Sequence, residues 1–160
     1  MPQSERAGAA IQPGRAGPGD GTYTLLAILA GAALYAWHVA PTVQYWDAGE
    51  RALVAWELGV SHPTGCVLHA VLGRAFIEIT PLWPDHAANL LSAFLAALAL
   101  GIAYRIGRLY SENRPLCFAA TLVLGSSSIY WSQAVYSEVY APHYFFFAAY
   151  MFYFLRWMRD

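Results

Sequence analysis

From residue 23 onward, long apolar runs alternate with short polar clusters. Four runs, 23–40, 87–104, 115–130 and 139–155, are each near the roughly 17–25 residues that a membrane-spanning helix needs. A fifth apolar stretch, 66–79, is shorter and carries Arg74 and Glu78 one turn apart. On a helix its Leu68, Val71, Leu72, Ala75, Phe76 and Ile79 share one face, and His69, Arg74 and Glu78 fall away from it. Such a one-sided stripe predicts a helix lying in the membrane interface. Residues 46–58 read as a second interfacial helix. There Asp47, Glu50, Arg51, Val54, Glu57 and Leu58 cluster on one side, and Trp46, Ala52, Leu53 and Trp56 lie elsewhere. Between the two helices, Pro63 disfavours helix at His62 and Gly65 permits a tight bend.

Composition supports a membrane class. The chain is 58% hydrophobic, 16% aromatic and 12% charged, against about 25% charged in ordinary soluble domains. Every fixed positive side chain is Arg, and their placement sets an orientation. If 66–79 lies flat, Arg6, Arg15, Arg105, Arg108, Arg114, Arg156 and Arg159 all face the cytoplasm, as the positive-inside rule requires. If it crosses, the 105–115 loop and the C-terminal arginines move outside. The sequence therefore predicts an all-α polytopic integral membrane protein. It has about four transmembrane helices, an external loop over 41–86 holding the two interfacial helices, and both termini in the cytoplasm. This gathers Asp47, Glu50, Glu57, Glu78, Asp85 and Glu138 on the outer side. It also puts Tyr45, Trp46, Trp83, Tyr130 and Trp131 at the outer interface, where aromatic belts sit.

Residues 1–22 are rich in Gly, Pro, Ala and Ser and read as a disordered cytoplasmic tail rather than a cleaved signal peptide; 23–160 form the membrane domain. Cys66 and Cys117 have no metal-finger spacing and read as buried thiols. Ala93, Ala97 and Gly101 make a small-residue ridge suited to close helix packing. The net charge of -1 and the scattered arginines give no footprint for nucleic acid.

Two places carry candidate chemistry. One is the charged face of 46–58 with the His62 turn, which also reads as a solvated surface helix and a plain bend. The other is Glu138, where the third span has emerged and the fourth is about to enter. A carboxylate at membrane depth is costly and marks a functional site by default, although a snorkelling Glu gives the same pattern.

In order along the chain, "APTVQYWDAGE", "LGVSHPTG", "LGRAF", "NLLSAFLAALA" and "YWSQAVYSEVYA" resemble the N-terminal region of the transmembrane protein 260 family. This is a protein O-mannosyltransferase-like branch of the GT-C polytopic glycosyltransferases. The resemblance runs from about residue 40 to 141. It departs at the turn, where the family pattern is nearer His-Pro-Pro-Gly followed by Tyr-Pro-Leu. Family members are several times longer, so the chain is expected to be a fragment of a larger module or a truncated or split reading frame.

The resemblance implies a GT-C-like N-terminal module with an acid in each of the first two external loops, Asp47 and Glu138, and with Glu50 and His62 beside them. It implies a polyprenyl-phosphate sugar as donor and a hydroxyl acceptor, on protein or glycan, on the non-cytoplasmic face of a bacterial inner membrane or an endoplasmic reticulum membrane. A hydroxyl needs a positioned base near neutral pH, and Asp47 is the candidate. The leaving phosphate needs donors or positive charge, for which Arg51, His62 and Arg74 are the external candidates. Glu138 either orients the acceptor or joins Asp47 on a divalent metal, which two carboxylates alone do not define. Partners are then membrane lipid, the lipid-linked donor, the acceptor and the remainder of the module. The rival expectation is a non-catalytic subunit, or an inactive truncated fragment, packing through the small-residue ridge. Spans nearly free of acids argue against a transporter.

Overall fold

The structure is a computed structural model that describes residues 17–63 and 65–159. The described residues form α1 (Asp20–His38), α2 (Ala48–Glu57), α3 (Val67–Ile79), α4 (Pro84–Tyr110), α5 (Arg114–Ser126), α6 (Ser128–Ala134) and α7 (Tyr140–Trp157), with no strand among them.

The longest helix, α4, is the centre of the fold, and α1 and α7 make their largest contacts with it. Pro84 starts α4 with its φ preset for helix, Asp85 lies in the first turn and Arg108 in the last, each matching the helix dipole. Among the described residues, α4 is the one helix long and apolar enough to cross a membrane by length and composition.

On α1 and α3 the buried face carries small residues, and many large apolar side chains are exposed. On α1, Ala27, Gly31 and Tyr35 are buried at four-residue spacing, while Leu25, Leu29 and Trp37 are exposed. The small-residue ridge of α4 lies against α1: a Cβ added to Gly101 would meet Ile28 Cγ1 at 2.6 Å, and one added to Gly31 would meet Leu100 Cδ1 at 2.8 Å. The same inversion holds on α3. Leu68, Val71, Ala75 and Ile79 of its apolar stripe are exposed, and the helix buries His69, Ala70, Gly73 and Ile77. A Cβ at Gly73 would sit 2.7 Å from Ala55 Cβ, so α2 and α3 touch almost backbone to backbone.

The apolar run at 115–130 is not one helix. It breaks at Ser127, which is extended (φ −61°, ψ 141°), giving α5 and α6. The Gly125-Ser126-Ser127-Ser128 sequence explains the break: Ser126 Oγ and Ser127 Oγ donate to Val123 and Leu124 carbonyls, competing with the helix ladder. Tyr130, expected in an outer aromatic belt, is instead buried, its hydroxyl donating to the Ala96 carbonyl at 2.8 Å.

Of the expected tail, 1–16 lies outside the described residues, while 20–22 already belong to α1. Asp20 is the reason. Its carboxylate accepts from Gly17 N (3.0 Å), Arg108 Nε (2.9 Å) and Arg114 Nε (2.8 Å), and the Asp20 and Arg108 side chains are buried. This ties the start of α1 to the α4–α5 connection. Asp20→Asn keeps one acceptor but removes the charge facing two guanidinium groups. It is expected to cost about 1–3 kcal/mol of stability, read as an earlier thermal transition of the purified chain in detergent.

Candidate functional site

Three segments meet beside the N-terminal end of α4: the start of α2, the 61–69 turn with the first turn of α3, and the 135–139 connection between α6 and α7. Asp47 occupies the N-cap position of α2, yet its carboxylate makes no capping bond. It turns to Arg51, one helical turn on, whose Nη2 donates to Oδ2 at 3.3 Å. Arg51 Nε donates to Glu138 Oε2 at 3.2 Å, and its Nη1 contacts Cys66 Sγ. Arg51 and Glu138 are each only 7% exposed. One buried guanidinium thus holds carboxylates that lie 91 residues apart in the chain. Burial disfavours the charge of Arg51, but Cys66, Glu138 and Asp47 more than offset this, and its pKa lies above the ordinary arginine value.

His62 forms the outer rim. Its backbone N–H donates to Glu50 Oε1 at 2.7 Å, and its Nδ1 lies 2.6 Å from Glu50 Oε2. Its Nε2 then faces Asp47 Oδ2 at 3.7 Å. The His62 backbone and ring bonds hold the Glu50 carboxyl below the usual carboxylate range. The side chains of Asp47 and His62 are about half exposed, 48% and 47%, so the cluster opens to the outside through them. The residue before Asp47, Trp46, holds a positive φ of 60°. That conformation is rare for a bulky side chain and stores strain at the site's edge.

Arg74 stands apart. It pairs with Glu78 one turn on, donates to the Trp56 carbonyl and lies over the Trp56 ring. Of the residues singled out from the sequence, Asp47, Glu50, Arg51, His62 and Glu138 therefore come together and Arg74 does not. Arg51 faces inward, where it positions carboxylates rather than opening towards a substrate.

Sequence reasoning passed over a buried polar chain behind this cluster. Asn89 Nδ2 donates to the carbonyls of Ala40 (2.9 Å) and Thr42 (3.1 Å), and its Oδ1 accepts from Ser137 N (2.8 Å). Ser137 Oγ in turn lies 3.1 Å from Nε2 of His69, which is 3% exposed. These contacts fix the loop that carries Glu138. A lone Asn in an otherwise apolar span was the available signal. A groove of about 380 Å³ opens beside the chain, lined by Cys66, Leu68, His69, Val139, His143 and Phe146 among others.

Burial, reinforced by the charge of Arg51, pushes His69 from its ordinary 6.5 down to about 4. The unfolded chain takes up this proton near 6.5 and the folded chain does not until about 4. The stability contribution is therefore complete above pH 6.5 and is lost as pH falls towards 4, on the order of 3 kcal/mol across the window. Thermal unfolding at pH 7.5, 6 and 5 is expected to show this loss, with a flatter acid limb in His69→Gln.

Among the described residues the chain is an all-helical bundle in which carboxylates from two separate segments meet on one buried guanidinium. The family model described as Protein O-mannosyl-transferase TMEM260 N-terminal domain matches residues 47–160, and the chain belongs to this family. A curated relative, "Protein O-mannosyl-transferase tmem260" of Dictyostelium discoideum, is 28% identical over 122 residues, covering 74% of this chain and 15% of the relative. The chain thus spans about 15% of that relative's length. No solved structure matches the chain.

Proposed function

We propose that this chain supplies the acidic half of a sugar-transfer site that moves a sugar from a polyprenyl phosphate to a hydroxyl, such as a protein Ser or Thr, on the non-cytoplasmic side of a membrane. The observation that carries the reading is the Asp47–Arg51–Glu138 bridge, which joins acids from two separate loops at one point. The family relation supports sugar transfer to protein as the general activity.

In this reading α1, α4, the α5–α6 pair and α7 follow the four apolar runs of a polytopic fold. The outward-facing Leu, Trp and Phe side chains meet lipid or further helices of the module. The acceptor oxygen attacks the anomeric carbon and the carbon–oxygen bond to phosphate breaks. The polyprenyl phosphate leaves with the electron pair, and Asp47 takes the hydroxyl proton. Among the described residues, Asp47 Oδ1 has no protein hydrogen bond, so one carboxylate oxygen is open to the acceptor. Glu138 acts through Arg51, holding it where it aims Asp47. The phosphate lies against the His62 side of the cluster, and Arg74 takes no part.

The test is incubation of a full-length family member with labelled polyprenyl-phosphate sugars and a panel of Ser/Thr peptides and glycans. Label in a peptide or glycan hydroxyl is the expected result. Failure of every donor to transfer would overturn the reading.

A further inference from the structure

We propose that the groove between α1, α4 and α7 holds one anionic phospholipid, its phosphate on Arg105 and Arg156 and part of an acyl chain along the apolar wall. The groove has a volume of about 610 Å³ and lies in the half of the bundle away from the acid cluster. Its walls are graded. Leu98 of α4 and Phe145 of α7 stand at one end, and Arg105 and Arg156 at the other. Arg105 lies about two helical turns beyond Leu98, roughly 10 Å along α4. Its guanidinium sits over the Phe152 ring, 5.7 Å from the centroid, so α4 and α7 are level at this end. An amphiphile has the same order, an anionic head and then an apolar chain.

The charge at this end is unbalanced. Among the described residues no acid lines the groove, and no carboxylate pairs with the half-buried Arg105. Asp20, the buried acid of this end, is already bonded to Arg108 and Arg114. Arg159 adds a further positive charge over the Tyr110 ring. A basic pocket between membrane helices attracts an anionic lipid head. A guanidinium offers a phosphate two parallel N–H donors, and a ring beneath it holds it in place without using them. Gly101 and Ala149 also line the groove, and their lack of bulk leaves it open. The groove beside His69, at the acid-cluster end, has no arginine among its lining residues and offers no such head site. The proposal rests on the bundle lying in a membrane, as in the reading above, and not on sugar transfer.

The experiment offers the purified chain in detergent an equimolar mixture of phosphatidylglycerol and phosphatidylcholine with matched acyl chains. Bound lipid is read by native mass spectrometry. One phosphatidylglycerol per chain is expected, preferred about fivefold or more over phosphatidylcholine, the discrimination that one arginine near a lipid head supplies. Arg105→Gln should lower that preference towards unity. Ala149→Phe fills the groove without changing charge and should lower retention of both lipids. Arg159→Gln removes an equal charge outside the groove and should change neither. Equal retention of the two lipids by the wild-type chain overturns the proposal whether or not any variant folds, and so does an unchanged preference in folded Arg105→Gln. Lipid-free dimers that Ala149→Phe dissociates would mean that a second copy fills the groove, and would overturn it too. Selective retention, with no transfer by a full-length relative, would keep the lipid site and remove the transfer reading. Transfer without selective retention would do the reverse.

Discussion

Asp47→Asn in a full-length family member is expected to lower sugar transfer by about 10²–10⁴-fold, the usual contribution of a positioned acid or base. Asn matches Asp in volume and its amide oxygen can still accept from Arg51, so the local packing survives. What is lost is a group able to take the acceptor proton, and with it a negative charge facing His62. Asp47 makes no capping bond to α2, so the substitution removes nothing that the helix needs. The loss should therefore fall on kcat, with membrane insertion and thermal stability close to wild type. Steady-state kinetics with labelled donor, alongside a thermal scan of the same preparation, separate the two effects. A fully active Asp47→Asn enzyme would remove the base assignment.

Arg51→Met is expected to be the most damaging change to the structure, costing about 3–5 kcal/mol, the range for breaking a buried ion pair by removing one partner. Met has a similar reach and is compatible with helix, so packing is largely kept. Among the described residues, Glu138 is then left buried with no ion-pair partner. Transfer should fall as well, because Asp47 loses the contact that aims it. A second substitution tells lost pairing from lost packing. Arg51→Met combined with Glu138→Gln should recover part of the stability lost by the single variant, since the neutral amide no longer needs the guanidinium, while transfer stays low. A double-mutant cycle on thermal stability reads this coupling directly. Additive losses would mean that the two side chains act independently.

Much of the fold was legible as hydrophobic arithmetic. The apolar runs correspond to α1, α4 and α7, and the two short amphipathic stretches correspond to α2 and α3, because each pattern has a local cause such as Pro84 at the start of α4 or the bend at His62. The break at Ser127 was not legible from hydropathy, since the run stays apolar on both sides; the cause lies in hydroxyls that bond back to the preceding turn. The inward turn of small residues on α3 was hidden for a related reason. A one-sided stripe shows which face is apolar but not whether protein or something else covers it. In the candidate site, Asp47, Glu50 and His62 were close in sequence and readable together. The pairing of Arg51 with Glu138 joins positions 87 residues apart, and no local periodicity carries that. His69 and Asn89 escaped because single polar residues in apolar helices give no spacing pattern, and Ser137 because it lies in the α6–α7 connection, where no periodicity applies.

The convergence of the 61–69 turn on the Glu138 loop is what the account rests on. It can be tested with Asp47, Arg51 and Glu138 all intact. Native Cys66 and Val139 line the same groove. In a Cys117→Ser background, Val139→Cys should be joined to Cys66 within one chain by a short bifunctional maleimide in intact membranes. Both thiols should also react with an impermeant maleimide added from the same side. Absence of the intrachain link, with the two thiols labelled from opposite faces of the membrane, would contradict the account.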